Sequence, residues 1–165
     1  MAPLIGRLRV ALYLVAIVFV VTPTVDIVAN VVPLHLDTMQ WRFGATGVAS
    51  NYLISIIFGA ALAATVAVLT GSRLTLRVLA TLGALGALFL VVAGVVLLLD
   101  TLQLRSQVPP ESLDAFEIGA GKTLFKLLET ALVLAVIGWA MLKGAQARGK
   151  GGSDEPAFLV HPKKA

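Results

Sequence analysis

The chain has 165 residues, of which 58% are hydrophobic and 13% charged, and its mean hydropathy is +0.94. A soluble domain carries about 25% charged residues, so this composition excludes an ordinary soluble fold and points to a chain held mostly in hydrocarbon. The net charge of +4 is spread over helix ends and a tail, which argues against nucleic acid as a partner, and the absence of cysteine removes disulfides, thiol catalysis and cysteine-ligated metals together.

A helix needs about 20 apolar residues to cross a bilayer. Four stretches qualify: residues 10–32, 47–69, 76–99 and 123–142. None alternates with period two, which argues against a β-barrel. The first stretch has the basic start of a signal peptide (Arg7, Arg9) but no small-x-small cleavage site, so it reads as a retained helix. Pro23 is expected to kink it by removing one backbone hydrogen bond.

The segment 33–44 mixes apolar and polar residues and is expected to lie along the headgroups as an outer loop. The second span follows. Gly71-Ser72 then makes a tight link, so the second and third spans are expected to form an antiparallel hairpin. A second outer loop runs from Asp100 to Gly121. Within it, Pro109-Pro110-Glu111 suits the start of a short helix, with acids near its positive end. Leu113, Phe116 and Ile118 are expected to rest on the membrane surface or the first loop, and Gly119-Ala120-Gly121 to bend the chain into the fourth span. The chain divides into a four-helix domain, 1–143, and a flexible tail, 144–165, rich in Gly, Lys and Ser.

Basic residues set the expected orientation. Arg7, Arg9, Arg73, Arg77, Lys143, Arg148, Lys150, Lys163 and Lys164 all fall on one side, assigned to the cytoplasm. The opposite loops hold Asp37, Arg42, Asp100, Arg105, Glu111, Asp114 and Glu117. The aromatic residues agree, with Tyr13 and Trp139 near the inner interface and Trp41 and Tyr52 near the outer one. The expectation is a multi-pass protein of the plasma membrane with both termini cytoplasmic.

Catalytic and cofactor motifs fail on inspection. Gly119-Ala120-Gly121-Lys122-Thr123 ends like a phosphate-binding loop, but Phe116 stands where the first glycine is needed, and no strand precedes it. Neither nucleotide nor any other cofactor is therefore expected. His35 and His161 fall on opposite sides of the expected topology, which disfavours paired histidine ligation of haem or metal. No glycine-flanked nucleophile elbow is present.

Polar residues inside the spans are the more informative feature. Thr22, Asp26 and Asn30 share one face of the first span, with Asp26 about 9 Å from its outer end at 1.5 Å per residue. Asn51 and Ser55 share a face of the second. Lys122, Lys126 and Glu129 share a face of the fourth, at similar depth. Charge in lipid costs a few kcal/mol or more, so Asp26, Lys126 and Glu129 are expected to face inward as one group bridged by Asn30 and Asn51, with Ser55 beside them. Such a group is either an ion-pair cluster fixing helix register or a small polar cavity.

Small residues suggest the helix contacts. The second span carries Asn51, Ser55, Gly59, Ala63 and Ala67 at four-residue spacing, and the third carries Ala80, Gly83, Ala84, Ala87 and Gly94 along one side. If Glu129 points inward, Ala131, Ala135 and Gly138 point outward and offer a face to another membrane protein. The fold class expected is all-α, a bundle of four antiparallel transmembrane helices. The function expected is that of a non-catalytic accessory, assembly or scaffolding component of a membrane complex. The alternative is a small transporter or ion- or proton-coupled pathway using Asp26 and Glu129.

Overall fold

The computed structural model describes residues 2–150, with side chains described for residues 8–146. It is an all-α bundle of four long helices: α1 (Ala2–Val31), α2 (Met39–Thr70), α3 (Arg73–Leu104) and α4 (Leu113–Lys150). All four are long and apolar enough to cross a membrane. At 1.5 Å per residue the 38 residues of α4 extend about 57 Å, well beyond a hydrocarbon core of about 30 Å.

The α2–α3 hairpin forms as expected, and its turn is chemically defined. Gly71 adopts φ 71°, in the left-handed region that glycine enters without a Cβ penalty, and its N–H donates to the Val68 carbonyl. Ser72 then caps α3, accepting a hydrogen bond from the Thr75 N–H at 3.4 Å.

The helices begin and end differently from the sequence expectation at the opposite end of the bundle. There α2 starts at Met39, so Trp41 and Arg42 belong to a helix rather than a loop. α3 continues through Asp100 to Leu104. Two 3₁₀ turns, Arg105–Gln107 and Pro110–Ser112, lead directly into α4. No short separate helix forms, and Gly119-Ala120-Gly121 is continuous helix rather than a bend. Packing explains this: Ala120 is buried and Phe116 stacks on Phe43 of α2 at 5.0 Å, which offsets a helix penalty of about 1 kcal/mol for each glycine. α4 also runs past Lys143 to Lys150, and the remainder of the tail lies outside the described residues. Pro23 sits inside an unbroken α1, buried on the face that holds Ala16.

The core is built by three helices. One cluster joins Leu53 of α2 to Leu90 and Leu97 of α3 and Leu127, Ala131 and Leu134 of α4. A second, nearer the Ser72 turn, joins Ala64 and Ala67 to Leu76 and Ala80 and to Met141 and Ala145. α1 contributes to neither and packs chiefly along α2. Its apolar window is 11% buried, against 28% for each of the others. Large apolar side chains such as Leu14, Val18, Phe89, Leu132 and Trp139 are exposed around the bundle, as lipid-facing residues would be.

Two glycine contacts set the helix spacing. A Cβ on Gly59 would lie 2.7 Å from Val20 Cγ2 and 2.8 Å from the Ala16 carbonyl oxygen, so only glycine permits this approach of α1 to α2. Gly83 and Gly138 face each other across α3 and α4, where a Cβ on either would stand 3.1–3.2 Å from a backbone oxygen of the partner helix.

Candidate functional site

The best-built polar site lies at the loop-bearing end of the bundle, opposite the Ser72 turn. Asp100 occupies the buried stripe of α3 that runs through Leu90, Gly94, Leu97 and Leu104. Its side chain is 4% exposed and meets Arg42 from the first turns of α2. Arg42 Nε donates to Asp100 Oδ2 at 3.0 Å and Nη2 to Oδ1 at 2.6 Å, a bidentate pair. Arg42 Nη1 also donates to the Leu36 carbonyl at 2.8 Å, which ties the connecting loop to the same centre. The Phe43–Phe116 stack lies beside it in sequence and links α2 to α4. A second ion pair, Arg105 with Glu117 at 2.8 Å, bridges the end of α3 to α4 but is exposed on both sides. Exposed pairs of that kind contribute little net stability.

Neither Arg42 nor Asp100 was singled out from sequence, because both fall where an apolar run gives way to polar residues and read as loop. Part of the signal was present: Asp100 continues the three- and four-residue steps of the buried stripe, but Arg42 and Arg105 are both cations on its side, and only the packing selects Arg42.

The intramembrane polar residues are arranged differently from expectation. Lys126 Nζ donates to Asn51 Oδ1 at 2.8 Å, linking α4 to α2. Ser55 is half-buried one turn beyond Asn51. Asp26 is half-buried, and Asn30 bonds to its backbone carbonyl at 2.7 Å rather than to its carboxylate. Glu129 is exposed. Among the described residues neither acid forms an ion pair, so the structure joins Lys126 to Asn51 and leaves Asp26 and Glu129 outside. The physical reason is the helix order: α1 lies along α2 and shares no substantial interface with α4.

The small-residue faces also change role. Gly59 and Gly83 lie close against neighbouring helices, Ala87 belongs to the first core cluster, and Ala63 is half-buried. The proposed outward face of the fourth helix is instead turned largely inward. Ala131 is 5% exposed and Gly138 packs on Ala80, Gly83 and Ala84 of α3, leaving Ala135 exposed. The premise that Glu129 points into the bundle is thereby reversed, because these small residues occupy the opposite side of α4.

Two open grooves accompany the bundle. One, of about 240 Å³, lies between α3 and α4 beside the Arg105–Glu117 pair. The other, of about 370 Å³, lies between α2 and α4 near the Ser72 turn. Both are mainly apolar, and neither includes Asp26 or Glu129 in its walls. Among the described residues no group of three His, Cys, Asp or Glu side chains is placed to hold a metal ion. No protein-family model matches this chain, and neither a curated protein nor a solved structure matches it.

Proposed function

We propose that this chain is an accessory or scaffolding component of a plasma-membrane complex, with four spans and both termini cytoplasmic. The observation that carries the reading is the state of Asp26 and Glu129. Each is a carboxylate within an apolar helix, each lacks an ion-pair partner among the described residues, and they stand on helices that share no substantial interface. An unpaired acid facing lipid is costly, and a second membrane protein offering a cation or hydrogen-bond donor at that depth relieves the cost. α1, with its small buried fraction, is the surface such a protein would cover. The orientation rests on the arginines and lysines grouped at the ends that carry Arg73 and Lys143.

The test pairs two measurements on the full chain. Asp26→Asn with Glu129→Gln is expected to leave the isolated protein as stable as before, or more so, because no buried partner is stranded. The same change is expected to weaken recovery of a co-purifying membrane protein from mild detergent. Recovery of the unaltered chain from native membranes only as a lone species would sink the accessory reading. Loss of an ion or proton flux in reconstituted vesicles on Asp26→Asn would favour the transporter alternative, for which neither groove supplies a path past the two acids.

A further inference from the structure

The groove between α2 and α4 differs from the other in what stands at its end. Its walls include Ala61, Ala64 and Val68 on α2 and Val136, Ala140 and Met141 on α4. Along α2 it extends from Ala61 to Leu69, about 12 Å at 1.5 Å per residue. Its volume of about 370 Å³ lies within the range of about 300–1,000 Å³ typical of sites for small organic ligands. The small alanines make the depression, and the exposed Val68, Leu69 and Val136 keep it open to the side.

Lys143 stands just beyond the groove, one turn past Ala140 on α4 and outside its walls. Val136, Ala140 and Lys143 follow at four- and three-residue steps, hence on one stripe of α4. The Lys143 ammonium is exposed and lies 5.9 Å from the centroid of the Trp139 ring, itself exposed. Trp and Lys near the end of an apolar stretch are suited to the headgroup level, the ring at the boundary and the ammonium among the polar groups. Arg9 and Arg77 belong to the same end, and no acidic side chain stands there among the described residues. The other groove ends instead at Arg105 and Glu117, whose charges neutralise each other.

We propose that the α2–α4 groove binds one acyl chain of an anionic phospholipid whose phosphate is met by Lys143. The apolar walls accept the chain by shape and burial, and the groove opens sideways, so a lipid enters from the bilayer without crossing a polar rim. Lys143 supplies the preference for a net negative headgroup over a zwitterionic one. A single lysine near an anionic surface is worth a preference of about fivefold. This site is independent of the accessory role, since it involves neither Asp26 nor Glu129.

The full chain, purified in a zwitterionic detergent, is offered equal amounts of phosphatidylglycerol and phosphatidylcholine, and the lipid retained is weighed by native mass spectrometry. The unaltered protein is expected to keep phosphatidylglycerol in about fivefold excess. Lys143→Gln is expected to retain lipid with that excess lost, Lys143→Arg to keep the excess, and Ala140→Phe, which fills the groove, to retain neither lipid. Lys122→Gln, a cation change at the other end of α4, is expected to keep the excess. Circular dichroism of each variant shows that the helices are intact. If Lys143→Gln keeps the excess, if Lys122→Gln abolishes it, or if a folded Ala140→Phe holds lipid as before, the assignment is overturned.

Discussion

Arg42 and Asp100 show how far one pair of residues governs this bundle. The Asp100 carboxylate is almost fully enclosed, and both of its oxygens accept from the same guanidinium. Removing the guanidinium strands a buried carboxylate, which costs about 3–5 kcal/mol. Arg42→Met is therefore expected to lower the thermal midpoint in detergent sharply, and the double change Arg42→Met with Asp100→Leu to recover most of the loss. Purely additive losses would show that the pair is not coupled. Arg42→Lys is expected to rescue poorly, because an ammonium cannot reproduce a side-on fork that also reaches the Leu36 carbonyl. The same method separates the intramembrane polar residues. Lys126 and Asn51 are expected to show coupling through their hydrogen bond, while Asp26 and Lys126, with no shared partner, are expected to be additive within about 0.3–0.5 kcal/mol. A large Asp26–Lys126 coupling would contradict the helix order described above.

At the scale of the elements, glycine position decides which helices can be altered. Gly59→Ala places a methyl group against Val20 and the Ala16 backbone, so α1 must shift away from α2. Overpacking of this kind costs about 1–3 kcal/mol, and the thermal midpoint is expected to fall accordingly. Gly121→Ala meets no atom within 4 Å and lies mid-helix. It is expected to raise stability by up to about 1 kcal/mol, the helix-propensity difference between the two residues. Equal effects of the two changes would mean that neither glycine is there for close approach. The buried Pro23 fits the same interface, since α1 is held by shape against one neighbour rather than by a polar network.

For the whole molecule, the proposed topology gives a direct check. The start of α1, the end of α4 and the Gly71-Ser72 turn lie toward one end of the bundle, while the segments around Asp37 and Gln107 lie toward the other, joined by the Gln40–Gln107 hydrogen bond at 3.4 Å. Accessibility reporters at Ser72 and at the C-terminus are expected to mark the cytoplasm, and one at Asp37 the opposite side. A C-terminal reporter opposite to that at Ser72 would remove a span and end the four-helix reading. The α2–α3–α4 core with α1 laid along one side gives the molecule an uneven perimeter, and α1 is the helix with most surface left for another protein.

Helix existence was determined by the sequence because it depends on local quantities: four runs of apolar residues long enough for hydrocarbon, punctuated by Gly71-Ser72 and by proline-bearing loops. Small residues aligned along one side of the second and third spans likewise made Gly59 and Gly83 candidates for close contact, since close backbone approach requires the absence of a side chain whichever neighbour is met. Which neighbour is met was a tertiary matter. A helix turned about its own axis keeps the same sequence pattern, so the sequence did not settle whether Glu129 or Ala131 faces inward. The structure decided it by fitting Gly138 against Gly83. Helix ends were decided in the same way. Asp100 and Arg42 remain helical because each neutralises the other across two helices, and Gly119-Ala120-Gly121 remains helical because Ala120 and Phe116 are packed. Those partners lie 58 residues apart for the ion pair, a separation that local propensity does not sense and three-dimensional packing does.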